Sequence, residues 1–295
     1  MNEIRGMAAA AALLVCASAA HAGDLDLSRE TVVAKTGFYI GVGGSFNGSR
    51  FDQSLQGVSG LTEVSFGPIL LAEGQAGGPF FKFNRDESAF APDVQLGYTV
   101  PFAGGLWQAG LKFAYKFGSI DSNESVTIPQ EGSVTTTIGP PVNIDFTGFV
   151  PIRSAKIALR HQFALMPVIG RSFGKVTVYA GGGPALFNVK TEFLDGMCFA
   201  VINGTLVNVC GETLNFRSED WIWGGAAQIG ATYALGERWF LDLAYMFAQS
   251  EEFKLKYSTP FINQNGPLTS QGVANLIAHQ QIANQSVVLT LNRRF

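Results

Sequence analysis

Taken at every second residue, the stretch Trp107 to Phe117, "WQAGLKFAYKF", separates into two faces. Trp107, Ala109, Leu111, Phe113, Tyr115 and Phe117 fall on one; Gln108, Gly110, Lys112, Ala114 and Lys116 fall on the other. Successive side chains leave a pleated backbone on opposite sides, so this period of two predicts a β-strand with one apolar flank. The same pattern returns at 36–48, 89–102, 154–167, 174–188, 220–235, 238–250 and 284–295, which makes eight strands in all. In the second, Val94, Leu96, Tyr98, Val100 and Phe102 oppose Asp93, Gln95, Gly97 and Thr99. In the fourth, Ala155, Ile157, Leu159, Phe163 and Leu165 oppose Lys156, Ala158, Arg160, Gln162 and Ala164. In the seventh, Trp239, Leu241, Leu243, Tyr245 and Phe247 oppose Phe240, Asp242, Ala244 and Met246. The glycine-rich fifth leaves its facing open.

The connections alternate between short and long. Short ones fall at Ala103-Gly104, at Gly170 to Phe173 and at Gly236-Glu237; long ones span 49–88, 119–153, 189–219 and 251–283. Loops of that length are uncommon in compact soluble domains. Short turns on one side and long loops on the other are the arrangement of bacterial outer-membrane barrels, whose short side is periplasmic. The expected fold is therefore all-β: an eight-stranded antiparallel up-and-down transmembrane β-barrel, with ten strands if the apolar first loop, "SFGPILLAEGQAGGPFFKF", adds a pair. With odd strands running outward, Phe38, Phe102, Trp107, Tyr233, Trp239 and Phe295 gather at the periplasmic edge. Phe46, Phe90, Phe117, Trp221, Trp223 and Phe247 gather at the outer edge. Two aromatic belts at matching heights suit the two membrane–water boundaries. A soluble barrel would put the apolar flank inside and charges outside, whereas here the opposite face is mainly Gly, Ala, Gln and Thr.

Composition strengthens the lipid-facing reading. Only 15% of residues are charged while aromatics reach 12%, with 24 Phe and 35 Gly. Usual soluble chains carry about 25% charge. A formal net charge of −3 argues against a nucleic-acid partner. Residues 1–22 read as a signal peptide, with the apolar "MAAAAALLVCASAA" before the A-x-A triplet Ala20-His21-Ala22. A lipoprotein reading would acylate Cys16, but Val15 stands where a small residue is expected. Residues 23–35 would be a short periplasmic leader and 36–295 the barrel domain. Cys198 and Cys210 flank the turn signal Asn203-Gly204 at equal distances from Gly204, so a hairpin with a three-residue loop would set them opposite one another. A disulfide in an exported, oxidising compartment is expected.

The opening "GFYIGVGG", the hairpin "WIWGGAAQIGATYALGERWFLDLAYMF" and the terminal "VVLTLNRRF" resemble the small outer-membrane β-barrel superfamily. That superfamily holds the outer membrane protein A transmembrane domain, the opacity adhesins and the porin-family surface antigens. The resemblance implies a cell outer membrane location in a Gram-negative bacterium, contact with outer-membrane lipids and lipopolysaccharide, and an assembly signal at Phe295 read by the barrel-assembly machinery. Leu291, Leu289 and Val287 match the apolar positions of that signal, and Arg293 departs from it. No periplasmic domain is expected beyond the last strand.

An eight-stranded interior is just wide enough to be filled by side chains. Asp93, Lys112, Lys116, Lys156, Arg160 and Asp242, with Gln95, Gln162 and Gln228, are expected to point into it and to pair, for instance Asp93 with Lys116. Four cations there against two acids would alternatively favour a narrow anion-permeable channel. A lipid A-modifying enzyme is the third reading. His161 falls on the lipid-facing side, as a wall histidine of such an enzyme would, but it lacks a neighbouring serine. His279, in "AHQQIANQ", reads as a solvated loop residue. Nothing calls for a metal or a cofactor. Function is expected in the loops, through a structural or recognition role toward an extracellular ligand, with "SVTIPQEGSVTTTIG" extending the third and fourth strands as a hairpin above the membrane.

Overall fold

Alternating segments turn into one antiparallel sheet that closes on itself. The computed structural model describes residues 36–295 apart from Asn203; the expected signal peptide, the leader and the asparagine of the turn signal lie outside the described residues. The wall consists of β1 (Gly37–Ser59), β4 (Phe81–Phe102), β5 (Trp107–Thr136), β6 (Asn143–Phe173), β7 (Val176–Gly196), β10 (Leu214–Ala234), β11 (Trp239–Ser250) and β13 (Leu268–Arg294). Each pairs antiparallel with the next, and β13 pairs back onto β1 from Tyr39↔Arg294 to Ser59↔Ala274. Closure removes the unpaired edges that an open sheet would offer. A short hairpin, β2 (Thr62–Phe66) and β3 (Ile69–Gly77), bridges β13 to β5 beyond the end of β4. It brings the strands contributing to the closed wall to ten. The remaining strands are β8 (Phe199–Ile202), β9 (Thr205–Asn208) and β12 (Phe253–Asn265), the last continuing β11 along β13.

Three short turns and both described ends share one end of the barrel. The turn joining β6 and β7 is Gly174-Lys175 rather than Gly170 to Phe173, because β6 stays paired as far as Phe173 with Val176. Gly174 takes φ +62°, a conformation that side-chain-bearing residues adopt reluctantly. At the other end the expected long loops are largely strand. β5 and β6 run for 30 and 31 residues, about three times the ~9–11 residues that a tilted strand needs to cross a bilayer. The 251–283 segment is a β12–β13 hairpin turning at Gly266, and the expected 119–153 hairpin is present with its tip between Thr136 and Asn143.

The wall changes character along its length. Near the short turns the exposed face is apolar: Phe38, Ile40, Val42, Leu111, Leu243, Leu289 and Leu291 all point outward. The buried side there is polar, with Ser45, Asn47, Thr290 and Asn292. Higher on the same strands the order reverses. β1 buries Phe51 and Leu55 and turns Arg50 and Asp52 outward; β12 aims Phe253, Leu255, Tyr257 and Phe261 inward and Lys254 and Lys256 outward. The lower part is solvated by apolar surroundings, and the upper part is a barrel with an ordinary apolar core.

Candidate functional site

The lower interior is a polar plug. Its centre is the Asp242 carboxylate on β11, which accepts hydrogen bonds from Lys112 Nζ at 2.7 Å, Tyr179 Oη at 2.8 Å and Gln95 Nε2 at 3.0 Å. Gln95 also donates to Asn292 Oδ1 at 2.6 Å, so strands β4, β5, β7, β11 and β13 meet in one network. Lys112 and Asp242 are the ion pair of this layer, and both are nearly inaccessible. Glycines make the space: a Cβ on Gly97 would enter the Tyr39 ring, and one on Gly230 would lie 2.7 Å from the Tyr179 hydroxyl. One layer higher, the Lys116 ammonium bonds Asn47 and Ser286 Oγ, and Asn284 links Ser49 to Gln162.

The expected interior set is only partly present. Asp93, Lys112, Lys116, Asp242, Gln95, Gln162 and Gln228 are buried. Asp93 faces Lys116 across the β4–β5 register as expected. The ion pair nevertheless forms elsewhere, and Asp93 Oδ2 has no hydrogen-bond partner among the described residues. Lys156 and Arg160 do not enter the barrel. The β6 ladder shifts register between Leu159 and His161 and between the partners Phe117 and Ile120, and an extra residue flips the facing of everything above it. Ile157 and Leu159 therefore point inward, Arg160 is exposed, and Lys156 pairs with Asp121 at 3.1 Å outside the wall. Partial burial would raise the Asp121 carboxyl, but the Ser119 hydroxyl and the Lys156 ammonium hold it below its usual range. Two lysines thus meet two aspartates inside, with Arg294 half-buried against Phe240 at the short-turn mouth. Lys156 and Arg160, the two cations that made up the expected excess over Asp93 and Asp242, stand outside the lumen, which removes the basis for the expected anion passage.

Above the plug lie two stacked apolar layers. The first joins Phe51, Met166, Phe187, Met246 and Ile282; the second joins Leu55, Ile128, Phe193, Leu276 and Phe261. Over the second layer opens a cavity of about 260 Å³. Its wall combines β2–β3, the upper ends of β5 and β6, the β8–β9 hairpin and the β12–β13 hairpin. The disulfide Cys198–Cys210 is part of that wall, with Cα atoms 5.3 Å apart. The hairpin loop holds two residues instead of the expected three, since Ile202 pairs with Thr205, so Cys198 faces Val209 and the chain bends to bring Cys210 round. Asn263 Nδ2 donates to Asn208 O at 2.8 Å and Ser270 Oγ to Val209 O at 3.0 Å, tying the disulfide hairpin to β12–β13. Nothing in the period-two reading singled out this cavity. The alternation of "FKLKYSTPF" at 253–261 was its available signal, hidden because its apolar set faces the opposite way from that of the lower strands.

Comparison with known proteins places this architecture. No family model matches the chain. The "Outer membrane protein P1" of Coxiella burnetii (strain RSA 493 / Nine Mile phase I) is 24% identical over 291 residues, covering 96% of this chain and 94% of that protein. The chain is an outer-membrane β-barrel protein. Solved barrels align with it loosely. Neisserial surface protein A matches at 10% identity and TM-score 0.29 over 83% of this chain and 97% of its own. The attachment invasion locus protein Ail of Yersinia pestis matches at 11% and 0.24 over 78% and 97%. The outer membrane protease OmpT of Escherichia coli matches at 8% and 0.29 over 89% and 97%.

In this outer-membrane barrel the short turns face the periplasm and the hairpins the exterior. The twelve aromatic side chains expected in the belts, Phe38, Phe102, Trp107, Tyr233, Trp239 and Phe295 at one edge and Phe46, Phe90, Phe117, Trp221, Trp223 and Phe247 at the other, are all exposed on the wall. Phe295 is exposed at its end, with Arg293 over the rings of Trp239 and Phe295. His161 does lie on the outer side, where its Nδ1 is 3.0 Å from the Tyr115 hydroxyl and its ring stacks on Trp221. His279 is not a loop residue. It sits within β13 between Ser54 and Lys254, with Nδ1 2.8 Å from Glu252 Oε1.

Proposed function

We propose that the protein has a structural and surface-recognition role, without catalysis, exercised by its extracellular hairpins. One observation carries this reading: every hairpin tip bears large apolar side chains exposed to water. They are Phe66 and Ile69 on β2–β3, Ile138 and Val142 on β5–β6, Leu206 on β8–β9, and Ile262 and Leu268 on β12–β13. Scattered apolar surface is normal, but a set gathered at one end marks a contact site. The hairpins are laced together at the tips, for example Leu268 with Phe66 and Thr137 Oγ1 with Leu70 O, which suits a rigid platform. The partner would be a molecule on another cell, a host surface or a phage. Lipids and lipopolysaccharide would contact the apolar band, and the barrel-assembly machinery would read Phe295 with Leu291, Leu289 and Val287.

A channel is disfavoured by the buried polar plug and the two apolar layers that close the lumen above it. The test uses bacteria expressing the full chain and a variant carrying Phe66→Ser, Ile138→Ser, Leu206→Ser and Ile262→Ser. Expression should raise adherence to host cells or phage, and the four serines should abolish the gain. Equal adherence with and without the protein would end the recognition reading. Ion-selective steps in planar bilayers would restore the channel, and an altered lipid A mass spectrum on overexpression would restore the enzyme.

A further inference from the structure

We propose that the cavity at the extracellular mouth binds a small, uncharged, apolar molecule. The proposal rests on the hairpin end being the working end, but it requires no macromolecular partner. Among the described residues no charged side chain lines the cavity; its floor is Ile128, Ile152, Phe193, Phe216 and Leu276. An ion placed there would lose its hydration with no countercharge in reach, which disfavours anionic and cationic ligands. A peptide is disfavoured too: its amides would need partners, whereas the accessible lining is almost wholly apolar, and Asn208 already accepts from Gly211 N–H while Asn263 donates to Asn208 O and Ser270 to Val209 O. Volume narrows the class further. The cavity measures about 260 Å³, and an apolar cavity of roughly 150 Å³ in a protein core stays dry and takes up benzene. A fused two-ring aromatic therefore fits better than a single ring.

The site is blind. Beneath its floor lie the layer around Phe51 and Phe187 and then the polar plug around Asp242, so a ligand that enters from outside has no lumen to follow. It is also built in advance. The Cys198–Cys210 bridge and the hydrogen bonds from Asn263 and Ser270 hold the wall, so little ordering accompanies binding. What the structure assigns here is capture, not transport.

The test takes the full chain in lipid nanodiscs, avoiding detergent tails that would compete for the site. 1-Fluoronaphthalene is titrated in and followed by its fluorine resonance, with empty discs of the same lipid as background. Saturable binding above that background is expected, weakened by about tenfold or more, some 1.4 kcal/mol, when Ala200→Phe fills the cavity. Ala274→Phe, at a second lining position, serves if Ala200→Phe loses the unboiled gel mobility of a folded barrel. 1-Naphthoate should compete poorly. Absence of saturable binding, binding indifferent to a folded cavity-filling variant, or naphthoate competing as well as the neutral ring would each overturn the proposal. The four tip serines lie outside the lining and should leave the fluorine titration unchanged. Adherence lost as a property while titration persists would therefore sink the recognition role alone, and the reverse would sink the cavity alone.

Discussion

At the scale of single residues the plug is a set of groups that tolerate burial only together. The Asp242 carboxylate is surrounded by Lys112, Tyr179 and Gln95, so removing it strands a lysine among neutral partners. Breaking one side of a buried pair typically costs about 3–5 kcal/mol, whereas replacing both partners with apolar groups is often nearly neutral. Asp242→Ala should therefore lower the urea midpoint of the protein folded in vesicles far more than Lys112→Met with Asp242→Leu does. Equal losses in the single and the double variant would show that the pair contributes through packing alone. The sequence reading identified most of this cluster because Asp93, Lys112, Lys116 and Asp242 sit opposite unbroken apolar runs. It pairs Asp93 with Lys116, whereas the ion pair is Lys112 with Asp242, since period-two facing gives cross-strand neighbours but not the reach of a lysine across the lumen.

At the scale of elements, the barrel strands were legible where lipid solvates them and misread where water does. The facing of β4 and β11 follows the alternation residue for residue, yet Lys156 and Arg160 were assigned to the lumen. One extra residue near Leu159 reverses a strand's facing, and a bulge leaves no mark in a hydrophobicity pattern. The upper strands looked like loops because their pattern runs the other way, with Phe51 and Leu55 taking inward positions held below by Ser45 and Asn47. The cysteine pairing was legible because a hairpin needs only its turn. That bridge closes a loop with a sequence separation of 12, for which chain-entropy arguments give about 3 kcal/mol at most. Its effect should be local, since the eight wall strands do not depend on it. Cys198→Ser with Cys210→Ser should keep the heat-modifiable gel shift, while amide exchange quickens in β8 and β9 relative to β1 and β13. Loss of the gel shift would mean that the hairpin is needed to close the barrel.

For the whole molecule, the decisive feature is a change of solvent partway up a continuous wall. A soluble β-barrel keeps its apolar side inward throughout, and a bare membrane barrel keeps it outward between two aromatic belts. Here both rules hold in succession on one strand: β13 turns Leu289 and Leu291 outward near the periplasm and buries Leu276, Ala278 and Ile282 above. The switch lies near the level of Phe46, Phe117 and Trp221, so the hydrocarbon should end there and the remaining length stand in water. Substitutions on one face of one strand can measure this. Leu289→Lys, in mid-band, should cost about 2–4 kcal/mol of folding stability in bilayers. Gln281→Lys, eight positions earlier and paired across the ladder with Asp52, should change it by no more than about 0.5 kcal/mol. Comparable penalties at both positions would mean that lipid reaches the upper wall, and then neither the exposed hairpin platform nor the water-facing cavity could stand. A negligible penalty at Leu289 would remove lipid from the lower wall, where the polar plug would have no reason to lie on the inside.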